Sequence, residues 1–237
     1  MRADFAIIGG TGIGAHLQAM PGIPLHVPTP FGMVRGKVAD GFLILSRHSA
    51  GHKVPPHEVN YRGLALACSA LRVRGCLASA AVGSLRADWA PGTLALCDQV
   101  IDVSARNLTI HSSSVVHQSM TNPFDPGLRE AVLSMATVDV QPRACYVNVN
   151  GPRFETGAEI RAFGQLGGDV VGMTAGSEAI AMAEAGVPYA CLSIVTNFGA
   201  GLTLEDPDHH GVVDVMNERA GAVLRLFFDA IARGGGA

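Results

Sequence analysis

Short apolar runs alternate along the chain with segments whose apolar residues recur at helical spacing. Residues 75–84 are apolar almost throughout, which is typical of a strand buried on both faces. In residues 59–73, by contrast, the apolar side chains fall on one face of a helix. The same patterns predict strands at residues 4–9, 34–40, 42–48, 93–102, 144–150, 169–173 and 188–197, and helices at residues 126–135, 156–166, 177–185 and 212–233. Residues 104–122 are polar and without a clear period, so we expect a loop there.

Two local signals indicate where predicted elements turn or begin. Asp40 and Gly41 form a hairpin dipeptide between two predicted strands, and Thr156 and Glu159 have the spacing of a capping box. Because strands and helices alternate, we predict one α/β domain over residues 1–237, a mixed twisted β-sheet flanked by helices. Such sheets bind ligands beyond the carboxyl ends of their strands, so polar residues at predicted strand ends are the candidates for chemistry.

The chain is apolar and weakly charged, which limits its expected partners. It has 48% hydrophobic and 16% charged residues and a net charge of −3, so we expect self-association and no nucleic-acid or acidic-membrane partner. No apolar run approaches the roughly 18 residues of a membrane span, and the N-terminus does not have a signal-peptide pattern. The five cysteines form no C-x-x-C pair, which predicts buried thiols in a reducing cytoplasm and no zinc–cysteine site.

Residues 46–62, SRHSAGHKVPPHEVNYR, concentrate basic groups in an otherwise apolar chain. A metal site, a solvated basic loop and a cradle for a small anion are the alternatives. The spacing of His48, His52 and His57 suits a metal poorly, and two prolines exclude a continuous helix. Arg47 ends a predicted strand, where a planar guanidinium can bind phosphate through two hydrogen bonds. In that case we expect a surface guanidinium with no buried charged partner in the protein.

The segment IIGGTGIG, residues 7–14, is a glycine turn after a predicted strand. Gly10 and Gly12 fit a dinucleotide-binding fingerprint, but Ala15 occupies its third glycine position, and no Gly-Lys-Ser/Thr of a P-loop follows. What remains is a turn whose N–H groups and Thr11 hydroxyl can bind an anion. A plain tight turn is the alternative.

Two further residues stand where a planar ligand could be recognised. Phe154, in GPRFETGAEI, is an aromatic in a predicted loop that can stack on a ring, or else anchor the core. Asn197 ends a buried strand, where its amide can both donate and accept hydrogen bonds. A structural asparagine in a turn is the alternative.

In this order, IIGGTGIG, RHSAGHKVPPHEVNYR, AAVGSL, NGPRFETGAEI, VVGMTAGSEA and SIVTN closely resemble the methylthioadenosine phosphorylase and trimeric purine nucleoside phosphorylase family. The similar motifs extend from about residue 5 to residue 201. The resemblance implies a nucleoside phosphorylase-like fold and phosphorolysis, in which a purine nucleoside and phosphate yield free base and ribose-1-phosphate. It also implies a homotrimer or hexamer and no cofactor or metal, with phosphate as co-substrate.

The resemblance also assigns the phosphate-binding residues. These are Thr11, Arg47, His48 and Thr174, and His48 is a candidate catalytic residue as well. Held by such groups, phosphate can attack C1′ while positive charge develops on the sugar, so positioning and electrostatics supply most of the catalysis.

For the nucleoside, the resemblance implies contacts from Ala81, Phe154, Met173 and Asn197. Phe154 corresponds to the aromatic that flanks the base, and Met173 to the residue that lines the ribose. Asn197, the second candidate catalytic residue, corresponds to the group that holds N7 and the 6-substituent. His117 resembles a histidine that reaches across a subunit interface toward the 5′ end of the sugar.

Four departures from the family pattern bear on the substrate. Asn197 and Gly199 replace the two aspartates of a T-D-Y-D motif, Ala80 replaces a threonine, and Ser177 replaces a proline, whereas Glu178 is retained. The neutral amide favours 6-oxopurine nucleosides such as inosine, guanosine or 5′-methylthioinosine. Ser79 or Ser84 could substitute for the lost threonine hydroxyl.

Three alternatives stay open at this point. The chain could be a phosphorylase of 5′-methylthioadenosine or another 5′-deoxyadenosine derivative, a nucleoside hydrolase, or a non-catalytic nucleoside-binding protein. Phosphate-dependent turnover distinguishes these classes.

Overall fold

The computed structural model describes residues 3–49, 53–204 and 209–234, and the strands within these ranges form one mixed sheet. The strands are β1 (Phe5–Gly9), β2 (Ile23–Thr29), β3 (Gly32–Ala39), β4 (Phe42–Ser46), β5 (Gly75–Ser84), β6 (Leu94–Leu96), β7 (Gln99–Asp102), β8 (Cys145–Asn148), β9 (Val170–Gly172) and β10 (Tyr189–Phe198). The α-helices are α1 (Ile13–Ala19), α2 (Tyr61–Ala70), α3 (Pro126–Met135), α4 (Gly157–Gln165), α5 (Ala175–Glu184) and α6 (His209–Gly234), and a 3-10 turn covers Pro56–Glu58.

Long parallel strands run through the centre of this sheet. The order is β2-β3-β4-β1-β5-β9-β8-β7, and β10 pairs with β5 and with β6. Strand β1 is parallel to β4 and β5, and β10 is parallel to β5. The pairs β2–β3, β3–β4, β5–β9 and β6–β10 are antiparallel. The predicted α/β class with a mixed sheet is therefore confirmed.

Helices cover both faces of the sheet, and the two larger of three apolar clusters lie on opposite faces. One apolar cluster joins α2 and α5 to the central strands, and includes Leu64, Cys68 and Met182. The other joins α1, α3 and α6 to the opposite face, and includes Leu17 and Phe227. Because strands β5 and β10 are buried from both sides, their sequences are apolar without alternation.

The local turn and capping signals are confirmed. Asp40 and Gly41 have φ values of 48° and 81°, as the two-residue hairpin between β3 and β4 requires. Helix α4 begins after Thr156, whose side chain accepts from the Glu159 N–H, while the Glu159 side chain accepts from the Thr156 N–H.

The sequence reasoning joins two strands into one and omits two short elements. Residues 93–102 form two strands, because the chain leaves β10 after Leu96 and pairs with β8 from Gln99. Helix α1 was missed because the glycine turn hides its short apolar face, Ile13 and Leu17. Strand β2 was missed because it contains Pro24 and Pro28, which an edge strand tolerates since it lacks a partner on one side.

No α-helix within the described ranges is both long and apolar enough to cross a bilayer.

Candidate active site

A cavity of about 400 Å³ opens where several strands end. The cavity is bordered by the carboxyl ends of β1, β4, β5 and β10. It is also bordered by the end of β9 and by the residues that follow β9. Eight of the predicted site residues line this one cavity: Thr11, Arg47, His48, Ala81, Phe154, Met173, Thr174 and Asn197. His117 is exposed on the segment between β7 and α3 and is not among the described residues that line the cavity.

Arg47 is a buried member of an ion pair, which contradicts its prediction as a surface guanidinium. The residue is 3% exposed, and its Nε and Nη2 atoms donate to the two carboxylate oxygens of Glu178 at 2.6 and 2.8 Å. Its Nη1 atom donates to the Ser79 carbonyl at 2.8 Å. The sequence separation of Arg47 and Glu178, 131 residues, explains why no local pattern could reveal this pair.

Glu178 has a second donor besides the arginine. The Tyr189 hydroxyl donates to Glu178 Oε2 at 2.6 Å, and both side chains are buried. Burial by itself lowers the pKa of Arg47, but the charge and hydrogen bonds of Glu178 raise it above the ordinary value. Burial, reinforced by the Glu178 charge, raises the pKa of Tyr189. The arginine therefore stays cationic and the tyrosine neutral.

His48 is held in one tautomer beside the arginine. Its Nδ1 atom lies 2.8 Å from the Val54 carbonyl, and since a carbonyl only accepts, Nδ1 carries the hydrogen. The Val54 N–H donates to the His48 carbonyl at 3.1 Å. His52, part of the alternative metal interpretation, lies outside the described residues. Within the described ranges, no group of three or more His, Cys, Asp or Glu side chains could hold a metal ion.

Hydroxyl groups from two further elements complete the polar end of the cavity. Thr11 lies in the turn between β1 and α1, and Thr174 immediately precedes α5 without capping it through its side chain. Backbone space is limited here, because a Cβ added at Gly10 would lie 2.2 Å from Arg47 Nη1. The glycine turn therefore lets the buried guanidinium pack directly against the backbone.

A β-bulge in β10 aims two consecutive side chains at the cavity. Val195 pairs with Val82, but Asn197 pairs with Gly83, so Thr196 is the additional residue. In a regular strand neighbouring side chains point to opposite faces, whereas Thr196 and Asn197 both line the cavity.

The amide of Asn197 is already oriented by its neighbours. The Thr196 hydroxyl donates to Asn197 Oδ1 at 3.0 Å, and Asn197 Nδ2 donates to the Phe198 carbonyl at 2.9 Å. One of the two amide N–H groups is therefore engaged, and one remains for a ligand.

Glu155 is a cavity residue that the sequence reasoning did not select. It lines the cavity beside Phe154, which is 38% exposed and so is not a core anchor. Burial raises the pKa of the Glu155 carboxyl. The available signal was its place directly after the predicted stacking aromatic, in a segment already expected to approach the ligand.

Neither predicted substitute for the lost threonine hydroxyl reaches the cavity. Ser84 donates its hydroxyl to the Arg86 carbonyl at 2.7 Å. Ser79 is buried, and its hydroxyl has no hydrogen-bond partner among the described residues. Ala80, which replaces the threonine, is buried as well. The described cavity wall therefore has no hydroxyl at this position.

Comparisons with known proteins agree over most of the chain. A family model described as Phosphorylase superfamily matches residues 4–232. The chain is 38% identical to the 6-oxopurine nucleoside phosphorylase of Pyrococcus furiosus, over 95% of this chain and 91% of that protein. It is 40% identical to the probable S-methyl-5′-thioinosine phosphorylase of Methanopyrus kandleri, over 84% of this chain and 80% of that protein.

A solved structure shows the same architecture. The methylthioadenosine phosphorylase of Schistosoma mansoni in complex with adenine has a TM-score of 0.90 and 28% sequence identity to this chain. The match covers 100% of this chain and 93% of that one.

Proposed function

We propose that this chain, which belongs to the phosphorylase superfamily and is a pentosyltransferase, cleaves 6-oxopurine nucleosides with inorganic phosphate. The products are the free base and ribose-1-phosphate, or its 5-substituted form. The observation that carries the proposal is that one cavity is lined both by the cationic and hydroxyl side chains of Arg47, His48, Thr11 and Thr174 and by Asn197, Glu155 and Phe154.

The cationic end suits a phosphate ion. The three hydrogen bonds described for Arg47 use three of its five N–H donors, so two remain for phosphate. Glu178 fixes the plane of the guanidinium, and Val54 fixes the ring of His48. The hydroxyls of Thr11 and Thr174 add uncharged donors. No cofactor is required in this proposal.

The other end suits a 6-oxopurine. Such a base presents acceptors at O6 and N7 and a donor at N1, whereas a 6-aminopurine presents an acceptor at N1. The remaining Asn197 N–H can donate to N7 or O6, and the Glu155 carboxylate can accept from N1. A 6-aminopurine would place the unprotonated N1 against that carboxylate, leaving both acceptors without a donor. Phe154 provides a face for the ring.

The reaction follows from the two ends acting on one substrate. The N-glycosidic bond breaks with its electron pair going to the base, while a phosphate oxygen forms the new bond to C1′. Monohydrogen phosphate loses its proton as the ester forms, and the departing base takes up one proton to become the free base. Phosphate held at Arg47 and His48 lies against the cationic sugar, and the Asn197 N–H stabilises the charge on the departing base. Removing one such donor in a catalytic site typically slows the reaction by about 100- to 1,000-fold.

Several finer points belong to the same proposal. The 5′-substituent is either hydroxyl or methylthio, since similar relatives are named for both kinds of substrate. A 5′-methylthioadenosine phosphorylase is the second candidate, because a solved structure of the same architecture, with a TM-score of 0.90, is a methylthioadenosine phosphorylase in complex with adenine. Assembly as a homotrimer or hexamer would let His117 approach a neighbouring cavity.

The free thiols of all five cysteines accord with a cytoplasmic enzyme.

The decisive experiment is a substrate panel with and without phosphate. Release of free base is followed for inosine, guanosine, adenosine and the 5′-methylthio forms of inosine and adenosine. We expect turnover only with phosphate and a higher kcat/KM for the 6-oxo members. Turnover without phosphate would identify a hydrolase, binding without turnover a binding protein, and preference for the 6-amino members the second candidate.

A further inference from the structure

Arg106 lies behind the cavity, in the segment between β7 and α3, and contacts two parts of its wall. Its Nη1 atom donates to the Met173 carbonyl at 2.8 Å. Its Nε and Nη2 atoms donate to the side-chain and main-chain oxygens of Asn150 at 3.0 and 2.5 Å. Met173 lines the cavity, and Asn150 begins the loop that carries Pro152 and Phe154 into it. One guanidinium thus fixes both wall segments.

Tyr61 extends this anchoring to a third wall segment. The Tyr61 hydroxyl oxygen lies 3.1 Å from Arg106 Nη1, whose two hydrogens it shares with the closer Met173 and Ser177 oxygens, and the guanidinium carbon lies 5.1 Å from the centre of the ring. The Tyr61 hydroxyl in turn donates to the Pro56 carbonyl at 2.6 Å. Pro55 and Pro56 line the cavity, and the buried Tyr61 side chain supports them.

Ser177, in α5, binds the Arg106 guanidinium. It is fully buried, and its hydroxyl accepts from Arg106 Nη1 at 2.7 Å and from Asn148 Nδ2 at 3.0 Å. Asn148 Nδ2 also donates to Asp102 Oδ1 at 2.7 Å, at the end of β7. The family motif to which this segment is similar has a proline at position 177, and proline has no side-chain acceptor. A proline at this position could not accept the hydrogen bond from Arg106 that Ser177 accepts in this chain.

We propose that Arg106 is a positioning residue for the nucleoside, and that Ser177 sets its orientation. Arg106 is not among the described residues that line the cavity, so it acts through Tyr61, Asn150 and Met173 rather than on the substrate. The inference rests on the proposed function, because it assigns these three wall segments to the nucleoside. Arg47, which binds Glu178 and Ser79, has anchors of its own, so its guanidinium is held without Arg106.

The test separates nucleoside from phosphate binding. Arg106→Lys retains the charge but cannot bind Met173, Tyr61 and Asn150 at once. We expect the KM for inosine to rise about tenfold or more, since small displacements of binding groups have large effects, while the KM for phosphate rises by a clearly smaller factor, since Arg47 keeps its own anchors. Ser177→Ala should change the inosine KM in the same direction by a smaller factor. Arg129→Lys is the matched control, because Arg129 donates to the Pro142 carbonyl and is not a cavity residue.

Equal rises in both KM values, or an unchanged inosine KM in folded Arg106→Lys, would overturn the proposal. If Arg106→Lys does not fold, Ser177→Ala decides: an inosine KM equal to that of the wild type would overturn it. Inosine affinity is also measured by calorimetry without phosphate. A wild type that binds inosine but does not cleave it would refute the proposed function, and the ratio of variant to wild-type affinity would still decide the role of Arg106.

Discussion

The buried pair of Arg47 and Glu178 links the candidate phosphate site to the stability of the protein. Both charges are almost fully removed from water, and each satisfies the other through two hydrogen bonds. A buried pair of this kind is neutral or modest in its net stabilisation, but breaking it leaves one charge uncompensated. Glu178 is therefore a residue that acts through Arg47, and the tyrosine hydroxyl of Tyr189 completes its hydrogen bonding.

Arg47→Ala is expected to reduce both phosphate binding and stability. The unpaired Glu178 carboxylate should lower the free energy of unfolding by about 3–5 kcal/mol. Adding Glu178→Gln should restore part of the stability, because it removes the unpaired buried charge. It should not restore activity, because the guanidinium that binds phosphate is still absent. Urea unfolding and phosphate KM are measured for the single and double variants. A single variant as stable as the wild type would contradict this account of the pair.

Asn197→Asp should shift base preference from 6-oxopurine toward 6-aminopurine nucleosides. A carboxylate accepts from a 6-amino group but cannot donate to N7 or O6 unless it is protonated. An unpaired polar atom in the site costs about 1–3 kcal/mol, which corresponds to roughly 5–150-fold in kcat/KM. Glu155 remains as a second group that favours 6-oxopurines, so we expect the shift to be partial.

The comparison uses kcat/KM for inosine, adenosine and their 5′-methylthio forms in both proteins. Glu155→Gln is the matched variant. It replaces a carboxyl group by an amide, the reverse of Asn197→Asp, in the same cavity. If the wild type already prefers adenosine-type substrates, the interpretation of Asn197 is wrong.

At the scale of elements, two irregularities place the residues proposed to bind the base at the cavity. The bulge in β10 turns Thr196 and Asn197 toward the cavity. On the other side, the start of α4 holds the loop containing Phe154 and Glu155, because Glu159 binds both the Thr156 N–H and the Arg153 guanidinium. A strand end and a helix start are thus both fixed by short-range hydrogen bonds.

Thr156→Ala should weaken this helix start. Loss of the cap is expected to cost about 1 kcal/mol, which for a chain of this size lowers Tm by about 2–4 °C. Thr156→Ser is the control, because serine retains the capping hydroxyl and should unfold near the wild-type temperature. Equal Tm values for the alanine and serine variants would show that the cap does not stabilise the protein.

The pH dependence of the cap has a definite direction. Hydrogen bonds from Arg153 and from the Thr156 backbone lower the pKa of Glu159 to about 2. A lowered acid pKa means that the stabilisation is present above the ordinary glutamate range and is lost as the pH falls toward that value. The difference in Tm between Glu159→Gln and the wild type should therefore persist in moderately acidic buffer and shrink as the pH falls toward about 2.

At the scale of the whole molecule, apolar surface lies near the cavity and on the segment before α3. Val115 is 85% exposed beside His117, and Phe154 stands partly exposed at the cavity. Large exposed apolar side chains occur at interaction sites. We propose that these residues contribute to self-association, in which His117 of one protomer would approach the cavity of another.

We expect light scattering to give the mass of a trimer or of a dimer of trimers. His117→Ala should leave that mass unchanged and raise the KM for the nucleoside. His26→Ala, on the exposed side of edge strand β2, is the control and should change neither quantity. A monomer with full activity at low concentration would rule out the shared-site arrangement.

The sequence by itself determined most elements and the identity of the groups at their ends. Helices α3 and α4 and strand β5 could be predicted closely, because proline at a helix start, the capping box and an uninterrupted apolar run are local signals. The ordered motifs also indicated which polar residues share a site. These properties depend on neighbours along the chain, which the sequence states directly.

The tertiary structure decided how those groups are paired, aimed and supported. The Arg47–Glu178 pair joins residues 131 positions apart, and Arg106 meets Ser177 across 71 positions. The bulge at Thr196 depends on the register between β10 and β5, and the apolar run in β10 does not encode it. Such contacts arise only when strands and helices pack, since burial and hydrogen-bond satisfaction act on whichever groups the fold brings together. A surface arginine predicted from the sequence is therefore a buried, paired one in the structure.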